Sequence, residues 1–121
     1  MGILLVVVLA LTACNSELAI TELNSVPKKL QKVLDQLGMY DYIQLVQDGE
    51  DIAYIVVNTK GTVTASVESS DNTIYVNIEE GESQNEEIIQ YVFKLTMDRG
   101  YEYMALKKNG EDIPIDVVTA I

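Results

Sequence analysis

The chain offers few of the side chains on which enzymes usually depend. Its 121 residues include no histidine, no tryptophan and one cysteine, Cys14. A Ser-His-Asp or Cys-His triad and a zinc site with the usual ligands therefore cannot be assembled from it. The seven glycines occur singly, so the chain has no glycine-rich phosphate loop. These absences predict a protein that is not an enzyme and holds neither a cofactor nor a metal.

Cys14 is the residue whose surroundings point most clearly to a chemistry. It follows an uncharged run, residues 1–13, that ends in Leu11, Thr12 and Ala13, and every charged residue lies from Glu17 onward. A run of 13 residues is too short to cross a bilayer as a helix, which takes about 20. The segment resembles the export signal and lipobox of bacterial lipoproteins.

This resemblance implies a location for the mature chain. Residues 1–13 are then a signal peptide that is removed, and Cys14 becomes the first residue and carries a diacylglyceryl group. Two acyl chains anchor a protein stably to a membrane. Residues 14–24 are expected to form a tether on the outer face of the cell membrane. The alternative is that residues 4–9 form a buried strand of a cytosolic domain, but the polar segment 15–25 favours the lipoprotein interpretation.

The charge of the chain excludes one class of partner. The formal net charge is −11, and nucleic-acid-binding proteins usually present a clustered basic face instead. We therefore expect no binding to nucleic acid. The length beyond the tether suits one domain, residues 25–121, and a single cysteine allows no disulfide within it.

Two acidic clusters and one basic cluster are candidate binding features. Asp48, Glu50 and Asp51 form one acidic group and residues 79–87 another, yet neither has the spacing of a calcium-binding loop. Lys28, Lys29 and Lys32 lie on the polar side of a predicted helix. They form a candidate membrane-proximal basic face, because lysine side chains are attracted to anionic headgroups.

Seven tyrosines are many for a chain of this length. Tyrosine is favoured at interfaces because it combines apolar area with a polar tip. Tyr101 and Tyr103 fall on one face of a predicted strand, with Ala105 and Lys107 beyond them. This face is the candidate surface for a partner, and the alternative is that the tyrosines cover the margins of a small core.

One segment has a clear helix pattern. Residues 25–38 begin with Ser25 as the expected N-cap, carry Pro27 in the first turn and end at Gly38. Its apolar stripe consists of Leu30, Val33, Leu34 and Leu37. We expect this stripe to be buried.

The remaining chain is patterned as strands. An apolar period of about two predicts strands over residues 42–47, 52–57, 62–68, 73–79, 101–108 and 112–118. Residues 52–57 are apolar on both faces, which is typical of a central strand. The pairs Asp48-Gly49 and Asn109-Gly110 predict tight hairpins. Pro114 cannot donate to a neighbouring strand, so the last strand is expected at an edge.

Residues 88–97 fit two patterns. Ser83 and Glu86 have the spacing of a helix capping box, and Gly100 suits the end of a helix. Against this, five apolar residues alternate without interruption: Ile89, Tyr91, Phe93, Leu95 and Met97. The alternation favours a strand.

Together these elements predict an α+β fold. One N-terminal helix is expected to pack on a mostly antiparallel β-sheet of about six to seven strands. The order of helix, Asp48-Gly49 hairpin, apolar strand 52–57 and late strand from Ile88 resembles small β-rich lipoprotein domains of spore-forming Gram-positive bacteria. The Thr-Gly-Gly-Tyr turn of those domains is replaced here by residues 59–62, so no functional residue is carried over.

Two functions remain open from the sequence. The first is a non-catalytic, lipid-anchored extracytoplasmic protein that binds or stabilises a protein partner at the cell surface. The second is a lipoprotein that binds a small ligand or a cation such as Ca²⁺.

Overall fold

The computed structural model describes residues 17–121, so the predicted signal peptide and Cys14 lie outside the described residues. The described chain forms one helix and nine strands. In chain order these are β1 (Ala19–Glu22), α1 (Lys28–Leu37), β2 (Ile43–Asp48), β3 (Ile52–Thr59), β4 (Gly61–Ser70), β5 (Thr73–Ser83), β6 (Ile89–Thr96), β7 (Tyr103–Lys108), β8 (Glu111–Ile113) and β9 (Val117–Ala120).

The strands form two sheets, and the prediction of a single six- to seven-stranded sheet in an α+β fold is wrong. Sheet A has five strands in the order β1-β6-β3-β2-β9, and sheet B has four in the order β4-β5-β7-β8. Neighbours are antiparallel except for β2 with β9 and β5 with β7. The described chain is therefore mostly β, with one short helix.

Lys60 marks the point at which the chain passes from one sheet to the other. β3 ends at Thr59 in sheet A, and β4 begins at Gly61 in sheet B. A strand with one buried face shows the same alternation in a helix-covered sheet as in two stacked sheets. The sequence pattern could not separate the two arrangements for this reason.

The main core lies between the two sheets. Inward-facing side chains of β2, β3 and β6 pack against those of β4, β5 and β7. Burial is nearly complete for the largest of them: Ile43, Ile55, Phe93 and Leu95 from sheet A, and Ile74, Val76, Ile78 and Leu106 from sheet B. The molecule is thus a β-sandwich.

Helix α1 covers the outer face of sheet A. Leu30 and Leu34 are buried there in a second core, together with Val46, Tyr54, Val56 and Val92. β3 is consequently buried on both faces, which confirms the prediction of a central strand over residues 52–57.

The helix ends at the predicted residue but begins later than predicted. Gly38, with φ 76°, ends it and donates its N–H to the Leu34 carbonyl at 3.0 Å. The N-cap is Pro27 and no side chain caps the helix, so the prediction of Ser25 as N-cap is wrong. A residue before proline is disfavoured in the helical region, which prevents the helix from extending back through Val26.

The two predicted hairpins are confirmed. Gly49, with φ 75°, lies in the connection between β2 and β3, and Asn109 and Gly110, with φ 50° and 87°, join β7 to β8. Two successive positive φ values are those of a type I′ turn, whose twist suits a tight hairpin.

The structure also shows how three other predicted segments fold. Within residues 88–97, Ile89–Thr96 form β6, which confirms the strand interpretation. β5 continues to Ser83, so the strand predicted over residues 73–79 is longer than predicted and includes the start of the acidic group 79–87. The last predicted strand is divided around Pro114 into β8 and β9. Each of these strands lies at a sheet edge, in agreement with the expectation from Pro114, which has no N–H to donate to a neighbouring strand.

The strand registers define two ends of the sandwich. At the entry end, the first residue of β1 stands in a cross-strand row with Thr96, Ile52 and Asp48. At the far end, Asn58 pairs with Gln90 and Thr59 with Ile89. Ala19–Glu22 fall within the segment expected to be a tether, so the fold extends further toward the N-terminus than residue 25.

Candidate functional site

The lysines of the predicted basic face are exposed on α1. Lys28, Lys29 and Lys32 all lie on its solvent side. Lys29 Nζ lies 3.2 Å from Asp48 Oδ1, at the entry end. The start of the helix and the start of β1 therefore share one end of the molecule.

Tyr101 and Tyr103 lie beside a groove of about 530 Å³ at the same entry end. The floor of this groove is apolar, and its rim carries the carboxylates of Glu50, Asp51 and Glu102. Tyr101 packs partly against the main core, whereas Tyr103 is 65 % exposed at the start of β7. The structure thus brings both tyrosines to one groove, with different degrees of burial.

The loop that carries Tyr101 is fixed by the turn between β4 and β5. The Asn72 carbonyl accepts hydrogen bonds from the N–H groups of Glu102 and Tyr103, at 3.0 and 3.1 Å. The Arg99 guanidinium lies 4.3 Å from the Tyr101 ring centroid, and the Tyr101 hydroxyl donates to Asp98 Oδ1 at 2.6 Å. One face of the Tyr101 ring is consequently covered by Arg99.

The two acidic clusters do not come together. Asp48, Glu50 and Asp51 are at the entry end, whereas Glu79 and Glu80 lie near the opposite end of sheet B. Within residues 17–121, no group of three His, Cys, Asp or Glu side chains is arranged to hold a metal ion.

Glu80 instead belongs to a polar cluster that joins the two sheets at the far end, here called the Glu80 cluster. Its carboxylate, 15 % exposed, accepts hydrogen bonds from the Tyr42 hydroxyl and, at 2.8 Å, from Thr59 Oγ1. Lys108 Nζ lies 3.9 Å from Glu80 Oε1 and 4.6 Å from the Tyr42 ring centroid. The Glu80 N–H donates to Asn109 Oδ1 at 2.9 Å.

The pKa of the Tyr42 hydroxyl is raised in the Glu80 cluster. Burial raises the pKa of the Tyr42 hydroxyl well above its usual range, and the hydrogen bond and negative charge of Glu80 raise it further. Tyr42 therefore stays protonated and remains a hydrogen-bond donor. One Glu80 oxygen accepts from Thr59 of sheet A and the other from Tyr42, directly before β2, so Glu80 links sheet B to sheet A.

The far end also exposes a group of apolar side chains, here called the far-end patch. Tyr40 is fully exposed, and Met39, Ile88 and Ile89 are 37 %, 44 % and 39 % exposed. Tyr40, Met39 and Ile88 line one cavity between α1 and the start of β6. Four of the seven large apolar side chains that are exposed in the described chain thus lie at this end.

Sequence reasoning missed the Glu80 cluster and the far-end patch for different reasons. The partners of Glu80 lie 21 to 38 residues away in the chain, so no local spacing joins them. Met39 and Tyr40 directly follow the helix end and belong to no period. Two large apolar residues immediately after the helix-ending Gly38 were the available signal.

The described residues, 17–121, contain no helix with the length and apolar composition needed to cross a membrane. Comparison of the chain with protein-family models, curated proteins and solved structures gives no match.

Proposed function

We propose that this protein is a non-catalytic, lipid-anchored module on the outer face of the cell membrane that binds or stabilises a protein partner through its far end. The observation that carries the proposal is the far-end patch, which exposes four apolar side chains opposite the entry of the chain. Three of the four, Met39, Tyr40 and Ile88, line one cavity, and exposed apolar surface of this kind is typical of interaction sites.

The short distance between Cys14 and β1 supports this orientation. β1 begins at Ala19, five residues after Cys14, at the entry end. A fully extended chain of this length spans at most about 18 Å. An acyl group on Cys14 would therefore hold the entry end close to the bilayer and direct the far end away from it.

The charge of the entry end keeps its groove from lying directly on the bilayer. Glu50, Asp51 and Glu102 surround its groove, and Asp98 lies in the adjoining loop. Anionic headgroups repel these carboxylates, while Lys29 is already paired with Asp48. A partner approaching from outside the cell would meet the far end first, where apolar side chains are exposed.

Crosslinking in intact cells, followed by isolation of the membrane fraction, tests the proposal. The native protein is expected to give one defined crosslinked species with a protein partner. Tyr40→Ala is expected to reduce its yield at least about tenfold, because exposed aromatic anchors commonly dominate binding. Tyr40 is fully exposed, so its removal leaves the core intact.

Tyr103→Ala is the matched control, since it removes an exposed tyrosine from the entry end. It is expected to leave the crosslinked species unchanged. Recovery of the bare monomer in every case, or loss of the species in Tyr103→Ala but not in Tyr40→Ala, would contradict binding through the far end.

A further inference from the structure

We infer that the far end contains a binding site for a primary alkylammonium group, the chemistry shared by a small aliphatic amine and a lysine side chain. The site is a cavity of about 470 Å³ between the C-terminal half of α1, the segment that follows it and the start of β6. The inference deepens the proposed function and rests on it for the accessibility of the far end.

The walls of this cavity suit an aliphatic chain. Leu34, Met39 and Ile88 supply apolar surface, and the volume falls in the range of small-molecule sites, about 300 to 1,000 Å³. None of the eight residues that line the cavity is basic. An aliphatic ligand would thus bury its chain without meeting a positive charge.

The charge at the cavity is negative and lacks a partner in the described chain. Asp35 lies in the last turn of α1, where the terminal carbonyl groups already carry partial negative charge, and that turn has no basic residue. Gln31 Nε2 donates to Asp35 Oδ1 at 2.8 Å. Neither ion pair of residues 17–121 includes Asp35, although Lys32 is one turn away. A bound cation would compensate both the carboxylate and the helix end.

A buried acceptor beside the cavity also lacks a donor. Asn58 is 6 % exposed, and its Oδ1 accepts no hydrogen bond from any described residue. Its Nδ2 donates to the Asp41 carbonyl at 2.9 Å. Asn58 pairs in register with Gln90, which lines the cavity. Because an unpaired buried acceptor is unfavourable, the position calls for a donor.

A second buried amide joins this acceptor to the cavity wall. Gln44 is fully buried and donates from Nε2 to the carbonyl of Gly38, another lining residue, at 3.0 Å. Asn58 Nδ2 also donates to Gln44 Oε1 at 3.4 Å, and of the three amides Asn58, Gln44 and Gln90 only Gln90 lines the cavity itself. An ammonium group carries three donors and no acceptor, which suits a wall beside which the one free group is an oxygen, Asn58 Oδ1.

Tyr40 provides the remaining element of a cation site. Its ring is fully exposed at the rim, and cations bind to tyrosine rings when they lie within about 6 Å of the centroid. The protein uses this contact elsewhere, with Arg99 on Tyr101 and Lys108 on Tyr42. Carboxylate, amide oxygen, aromatic face and aliphatic wall together match an alkylammonium group.

A heteronuclear NMR titration of the full chain with n-butylamine at neutral pH and fixed ionic strength tests the inference. The amine is expected to shift the side-chain amide signals of Asn58 and Gln90. These shifts are expected to saturate with a Kd of about 1 mM. 1-Butanol, which has the same chain length and no charge, is expected to bind at least about fivefold more weakly.

Exposed positions provide the variants, because a substitution of buried Asn58 risks the fold. Asp35→Asn and Tyr40→Ala are each expected to raise the Kd for butylamine at least about threefold. Asp112→Asn and Tyr103→Ala, which remove the same groups outside the cavity, are expected to leave it unchanged. Equal binding of amine and alcohol, or equal effects of both variant pairs, would overturn the assignment.

N-acetyl-lysine methylamide separates the two sources of the ammonium group. Tighter binding than butylamine assigns the site to a lysine of a protein partner, and weaker binding assigns it to a free amine. If no amine binds while Tyr40→Ala still removes the crosslinked species, the ammonium assignment fails and the proposed function stands. If amines bind and no partner is crosslinked, the ammonium assignment stands and the proposed function fails.

Discussion

At the residue scale, the Glu80 cluster explains how a partly buried carboxylate is tolerated in a small sandwich. Its oxygens accept hydrogen bonds from Thr59 of sheet A and from Tyr42, which directly precedes β2. Lys108 lies near enough to balance part of its charge. A buried charge is destabilising unless it is paired and hydrogen-bonded. The cluster satisfies both conditions while it fixes the two sheets at the far end.

The raised pKa of Tyr42 leads to a prediction at alkaline pH. Unfolded tyrosine loses its proton near pH 10, whereas Tyr42 holds its proton to higher pH in the folded state. The stabilisation from this group is therefore complete below about pH 10 and is lost as the pH rises further. Tyr42→Phe is expected to lower the free energy of unfolding by about 1 kcal/mol at neutral pH and to flatten the decline above pH 10.

Urea unfolding between pH 7 and 11 measures this effect. Tyr40→Phe, at a fully exposed hydroxyl, is the control and is expected to match the native protein at neutral pH. An unchanged alkaline decline in Tyr42→Phe would mean that the Tyr42 hydroxyl does not stabilise the sandwich.

At the element scale, the turn between β7 and β8 gives the clearest prediction. Gly110 has φ 87° and open space around the position of an added Cβ, so only backbone strain opposes a side chain there. Gly110→Ala is expected to destabilise the protein by about 1 to 2 kcal/mol. Gly100→Ala, which also meets open space but has no positive φ, is expected to have little effect. Thermal unfolding of both variants tests this, and equal losses would contradict the turn assignment.

Local elements could be predicted from the sequence because local rules determine them. The positive φ of Asn109 and Gly110, the helix end at Gly38 and the alternation in β6 all follow from neighbouring residues. The pairing of strands could not be predicted, because nothing local at Lys60 shows that the chain changes sheets. The candidate sites also divide into those that depend on local sequence and those that depend on strand pairing. Cys14 is recognised from adjacent residues, whereas Gln44, Asn58 and Gln90 become neighbours only when the strands of sheet A have paired.

At the scale of the whole molecule, the two ends of the sandwich have different characters. The entry end carries Glu50, Asp51 and Glu102 around an open groove, and the far end carries the far-end patch and the amide-lined cavity. The proposed function connects this asymmetry to a membrane, because a lipid on Cys14 would leave the far end facing outward. The orientation therefore depends on the chemical state of one residue.

Intact-mass spectrometry of the native protein tests that dependence most directly. We expect a chain in the membrane fraction that begins at Cys14, lacks residues 1–13 and carries the added mass of a diacylglyceryl group. Cys14→Ser is expected to remove the added mass and release the chain from the membrane fraction. A native chain that retains residues 1–13 and a free Cys14 thiol outside the membrane fraction would contradict the account.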